Sequence, residues 1–126
     1  AYEIAIAINP RFTDAYFNLA ITYNRLGRYQ EAIESFKQVI RLSPGMAEAY
    51  YGLGVVYLKL EKTDEALVAF KKTVQLNPNH INGHFNLGII YFNLGDSLSA
   101  WNQYEVLKNL DKPMAAELYN IFNFKK

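Results

Sequence analysis

Pro10, Pro44 and Pro78 recur at intervals of 34 residues, and this period constrains the chain more than anything else in it. Between the prolines the same slots carry the same chemistry. Tyr16, Tyr50 and His84 share one slot, and Leu19, Leu53 and Leu87 share the next. Ala20, Gly54 and Gly88 follow, then Tyr23, Tyr57 and Tyr91. Further on Ala32, Ala66 and Ala100 align, as do Phe36, Phe70 and Tyr104, and Leu42, Leu76 and Leu110 close the unit. Self-similarity at such a period marks stacked supersecondary units, none of which buries its apolar face alone.

Each unit reads as two helices. Tyr16, Leu19, Ala20 and Tyr23 lie on one helical face, and Ala32, Ile33, Phe36, Val39 and Ile40 make a second. Gly27 and Gly95 suit helix C-termini, where a left-handed residue closes the helix. Glu61 holds the same slot in the second unit, so that turn must manage without glycine. Asp96 is placed to cap the next helix. Pro44 and Pro78 end the second helix of their units, because the residue before proline disfavours helical dihedrals. The pattern predicts helices over 1–8, 12–26, 29–42, 46–60, 63–76, 80–94, 97–110 and 114–124.

The small slots have a packing reason. Ala20, Gly54 and Gly88 face the paired helix, where Ala32, Ala66 and Ala100 stand opposite. Small against small lets two helices approach near the short end of the usual ~8–10 Å. An aromatic, Leu, small residue, Tyr, then Ala, Phe and Pro at these spacings resembles the tetratricopeptide repeat. The resemblance covers nearly all of the chain in three copies. It implies an all-α, right-handed α-solenoid of helix–turn–helix repeats. The departures are tyrosine for tryptophan in the first aromatic slot, and His84 and Tyr104 in aromatic slots of the third repeat.

On this register residues 1–10 are the tail of a truncated repeat, and 13–46, 47–80 and 81–113 are repeats one to three of a single domain. Residues 114–126 form a C-terminal capping helix, since Pro113 falls one position late for a fourth repeat. In the cap, Ala115, Leu118, Tyr119 and Phe122 share a face that covers repeat three and Trp101, which is expected in the core. Tyr2, Ile6 and Phe124 would be left exposed at the two ends, favouring weak self-association.

Composition narrows the function. Thirteen basic residues face twelve acidic ones, a net charge of +1, so no field favours nucleic acid or an anionic membrane. No apolar run approaches the ~20 residues of a membrane helix, so no membrane insertion is expected. Cysteine is absent, which removes disulfides and thiolate metal sites and leaves the compartment open. His80 and His84 have the spacing of two helical zinc ligands, but Ile81-Asn82-Gly83 between them lacks the glutamate of a zinc protease. His84 is read as a packed imidazole and His80 as a surface residue. Gly52-Leu53-Gly54 lies mid-helix and follows no strand, so it is no phosphate loop. Asp64, Glu31, Glu34 and Glu65 read as solvated helix starts. Neither catalysis nor a cofactor or metal is expected.

A second apolar sector remains on each first helix, well over about 90° from the core sector at ~100° per residue. It holds Phe17, Ile21 and Asn24 in repeat one, with Asn18 beside them. In repeat two it holds Glu48, Tyr51, Val55 and Leu58, and in repeat three Asn82, Phe85, Ile89 and Phe92, with Asn86 beside them. The resemblance implies that these slots line a concave peptide-binding surface. Two readings stay open: a groove for a partner, or a seal between adjacent first helices. Leu58 and Phe92 lean towards the groove, because Asn24 shows that their slot accepts a polar group. Chaperone-binding members hold a terminal carboxylate with lysines, asparagines and an arginine. Here those slots carry Phe17, Ile21, Glu48 and Gly52, and Tyr51, Val55, Asn82 and Asn86, so that clamp is not expected. The reading is a protein-interaction scaffold that binds an apolar peptide or helix. Its alternatives are self-assembly through exposed ends and an accessory domain of a larger enzyme.

Overall fold

A computed structural model describes residues 10–124. Seven helices occupy them: α1 Pro10–Arg25, α2 Tyr29–Leu42, α3 Ala47–Lys59, α4 Thr63–Leu76, α5 Ile81–Asn93, α6 Ser97–Leu110 and α7 Lys112–Phe124. These match the expected helices to within two residues at each end. The helix expected over 1–8 lies outside the described residues, and so do Tyr2, Ile6 and the side chain of Phe124. Pro10 opens α1 instead of standing apart from it. Its missing N–H and fixed φ suit the first turn of a helix.

The chain divides between Ala69 and Phe70 into two compact units. In the first unit α2 packs along α1 and α3, and α3 also meets α1. Their shared core is Ala20, Ala32, Ile33, Phe36, Val39, Ala49, Leu53 and Val56. In the second unit α6 packs on α5, and α7 lies against both. There Ala100, Leu107, Ala115, Leu118 and Phe122 cluster in the core, and Leu87 and Ile90 of α5 are buried as well. Burying each large side chain stabilises by about 1.5–3 kcal/mol, so both units rest chiefly on apolar packing. The small slots behave as their spacing predicts: Ala20, Ala32 and Ala66 are 0% exposed.

The helix pairs of the three repeats turn alike. Gly27, Glu61 and Gly95 adopt φ of +77°, +60° and +82°. In each turn the left-handed residue donates its N–H to the carbonyl three residues back: Asn24, Leu58 or Phe92, at 3.0–3.1 Å. The next residue, Arg28, Lys62 or Asp96, donates to Tyr23, Tyr57 or Tyr91 at 2.9 Å. These bonds satisfy carbonyls that a helix end otherwise leaves open. Between repeats, Met46 N–H donates to Ser43 and His80 N–H to Asn77, closing turns that carry Pro44 and Pro78. Asp96 caps α6 by accepting from Ser99 N–H at 3.1 Å, as its place in the sequence predicts. Asp111 ends α6, and its carboxylate accepts from Met114 N–H at 3.1 Å to start α7.

Three expectations are corrected. Leu19 is 40% exposed, whereas Leu53 and Leu87 in its slot are 7% and 1%. Leu53 is buried with Phe36 and Val39 of α2, the helix that precedes its own, while α1 has no such helix before it among the described residues. Trp101 is 43% exposed rather than core, with the Tyr119 ring of α7 edge-on to it at 6.3 Å. His80 is buried, not on the surface.

Candidate functional site

The second apolar sector is set by the first-helix phase. On α1 this places Phe17, Asn18, Ile21 and Asn24; on α3 it places Glu48, Tyr51, Val55 and Leu58. All eight belong to the first unit. Phe17, Ile21, Asn24, Tyr51, Val55 and Leu58 are half-buried, and Asn18 and Glu48 are exposed. On α5 of the second unit Phe85, Asn86, Ile89 and Phe92 are half-buried and Asn82 is exposed.

Part of this surface is taken by the fold. Phe17 and Ile21 pack on the first core, and Phe17 meets Phe36 edge-on at 5.9 Å. Phe85, Ile89 and Phe92 pack on the second, and Phe92 stacks on Phe122 of α7 at 4.9 Å. Tyr51, Val55 and Leu58 of α3 are half-buried. Lys59 stands at the far end of the first unit's sector, where its place in the sequence puts it. Its Nζ donates to Asn24 Oδ1 at 3.1 Å and lies 5.9 Å from the Tyr29 ring.

Gly52, in the slot that carries Asn18 and Asn86 in the other repeats, has a packing reason. A Cβ there would run into the Phe36 ring. The glycine lets α3 settle on the aromatic that fills the first core.

The two histidines are structural. His80 Nδ1 accepts from Gly83 N–H at 2.9 Å, so the ring caps α5. His84 is buried, with one ring nitrogen 2.7 Å from the Pro78 carbonyl and the other 2.7 Å from the Gln103 amide. Among the described residues no three potential metal ligands gather, and no helix is long and apolar enough to cross a membrane.

A recess that the repeat pattern alone does not reveal lies between α3 and α4. Its volume is about 340 Å³, and Tyr50, Leu53, Tyr57, Asp64, Glu65, Val68 and Ala69 line it. Tyr50, Leu53 and Tyr57 fall in core slots of the repeat, and the period carries no sign of the space beside them. The signal that could have found the recess is Val68 beside Asp64 and Glu65, a branched apolar residue on an otherwise solvated face.

Comparison with known proteins follows the same register. Models described as tetratricopeptide repeat match residues 1–34 with 69–104, and residues 47–80. A model described as TPR repeat matches residues 22–61. No curated protein matches in sequence. Among solved structures, "Crystal structure of MamA" is 24% identical with a TM-score of 0.74, covering 98% of this chain and 81% of that one. "First TPR of Spaghetti (RPAP3) bound to HSP90 peptide SRMEEVD" is 18% identical with a TM-score of 0.83, covering 93% and 94%. "MamA RS-1 ArsTM double mutant" is 25% identical with a TM-score of 0.75, covering 83% of this chain and 59% of that one. These likenesses show the fold class, an all-α repeat solenoid.

Proposed function

The chain belongs to the tetratricopeptide repeat family, and from that premise we propose that it is a protein-interaction scaffold holding an apolar peptide or helix against the second sector of its first helices. The observation that carries this reading is the partial exposure of two apolar side chains, Val55 and Leu58, on α3, with Tyr51 half-buried beside them. Contiguous apolar surface left to solvent marks a partner site. Ile21 and Asn24 on α1 extend the same unit's sector, and the Asn24–Lys59 pair supplies a polar edge. Phe85 and Ile89 give α5 the same chemistry.

The neighbouring structure of RPAP3 holds an HSP90 peptide of sequence SRMEEVD. An acidic peptide of that kind does not suit this chain. Glu48 is exposed on the sector, and Phe17, Ile21, Tyr51 and Val55 replace the cations a carboxylate needs. The preferred ligand is therefore apolar.

The test is selection of displayed random peptides on the immobilised protein. Selected peptides are then titrated by calorimetry against the parent and a Tyr51→Ser/Leu58→Ser variant. We expect apolar, aromatic-bearing peptides whose affinity falls about tenfold or more in the variant, the loss expected of an anchor. Peptides that bind parent and variant alike would move the site elsewhere. Failure to select any peptide, with concentration-dependent sedimentation of the free protein, would favour self-assembly.

A further inference from the structure

The recess between α3 and α4 is a product of the repeat, because its counterpart occurs one period earlier. Leu19, Tyr23, Gln30, Glu31, Glu34 and Ser35 hold the slots of Leu53, Tyr57, Asp64, Glu65, Val68 and Ala69, and they line a recess of about 320 Å³. The chemistry of the two differs. In the first repeat Glu31 is engaged by Arg28 at 2.7 Å. In the second, Lys62 holds the slot of Arg28, yet among the described residues no ion pair takes up Asp64 or Glu65. In the third repeat those two slots carry Leu98 and Ser99. Repeat two therefore combines two tyrosines and three apolar residues with two uncommitted, exposed carboxylates at the rim.

A volume of about 340 Å³ is near the lower end for ligand sites, about right for one long side chain rather than a whole cofactor. An apolar wall with a negative rim fits a side chain that has an apolar stem and a cationic head. Lysine and arginine both qualify, but only a planar guanidinium both stacks on a tyrosine ring and forks to carboxylates.

We propose that this cleft is a docking site for an arginine side chain presented by a partner protein. The stem lies along Leu53, Val68 and Ala69, the guanidinium covers a tyrosine face, and its N–H groups donate to Asp64 and Glu65. This site is separate from the sector of Tyr51 and Leu58, so the two stand or fall independently.

The experiment titrates the whole chain with N-acetyl-arginine amide, and with the citrulline analogue of the same shape but no charge, followed by amide chemical shifts. Arginine should give saturable millimolar shifts concentrated at Leu53, Tyr57, Val68 and Ala69. Citrulline should bind about fivefold more weakly, the effect of one exposed charge interaction. Asp64→Asn/Glu65→Gln should show the same loss, while Tyr51→Ser/Leu58→Ser should bind arginine like the parent. Equal binding of citrulline, no saturable shift, or full arginine binding by Asp64→Asn/Glu65→Gln would overturn the proposal. Should that double variant lose its dispersed spectrum, the citrulline comparison on the parent decides.

Discussion

Glu61 does the work of a glycine. Its φ of +60° lies in the left-handed region that Gly27 and Gly95 occupy in the equivalent turns. For an L-residue that conformation costs roughly 1–2 kcal/mol. Glycine removes the strain but loosens the unfolded chain, an opposing effect of about 0.4–1 kcal/mol. Glu61→Gly should therefore raise stability by about 0.5–1 kcal/mol, read as a higher midpoint in urea. A lowered midpoint would mean that the Glu61 side chain makes a compensating contact. At His84 the two oxygens it meets are partly buried, and removing the ring leaves them without that partner. His84→Ala should cost about 1–3 kcal/mol beyond the cavity it leaves. That a histidine packs in the slot of Tyr16 and Tyr50 is legible from the register. That His80 caps α5 is not, because cap positions are recognised by Ser, Thr, Asp and Asn and a histidine there carries no signal.

At the scale of the helix, two glycines that look alike in sequence have different reasons. A Cβ at Gly88 would come within 2.7 Å of Leu118 Cδ2, the far end of a flexible side chain on α7. At Gly52 it would meet the ring of Phe36, which is 2% exposed and held edge-on by Phe17. A methyl can yield, whereas an enclosed ring cannot. Gly88→Ala should be close to neutral, since alanine's helix propensity gains about 1 kcal/mol. Gly52→Ala should cost about 1–3 kcal/mol net through overpacking. Equal midpoints for the two variants in denaturant titration would contradict this assignment. Gly88→Leu should also fall by about 1–3 kcal/mol, since leucine cannot share the space of Leu118. The elements themselves are legible because a 34-residue period repeats every apolar slot, and two misread slots cannot shift a helix. Which helix lies over a given small residue is not. Gly52 and Phe36 are far apart in sequence, and their closeness depends on how deeply α3 settles on α2.

For the molecule as a whole, the same limit applies to the candidate site. The leftover sector of α1, α3 and α5 can be read from helical phase. How much of it the fold consumes depends on Phe36 and Phe122, which approach from other helices. The second unit draws on α7 for Ala115, Leu118 and Phe122, all buried in its core. Leu118→Asp should therefore cost more than 3 kcal/mol, since it deletes a fully buried side chain and buries a charge. Sedimentation velocity should show the variant associating at concentrations where the parent does not. A variant as monomeric and stable as the parent would mean that α7 is dispensable to the core.

Trp101 is the sole indole in the chain, and its ring lies 4.6 Å from Tyr104 and 6.3 Å from Tyr119. Tyr104 belongs to its own helix, whereas Tyr119 belongs to α7, so the tryptophan touches both sides of the seam it straddles. The protein thus carries an intrinsic fluorophore at its C-terminal packing joint. Its emission should move to the red, and tyrosine-sensitised emission should fall, whenever α7 lifts. The joint can then be timed in stopped-flow without a label, and Tyr119→Phe should keep the packing while removing most of the energy transfer from α7.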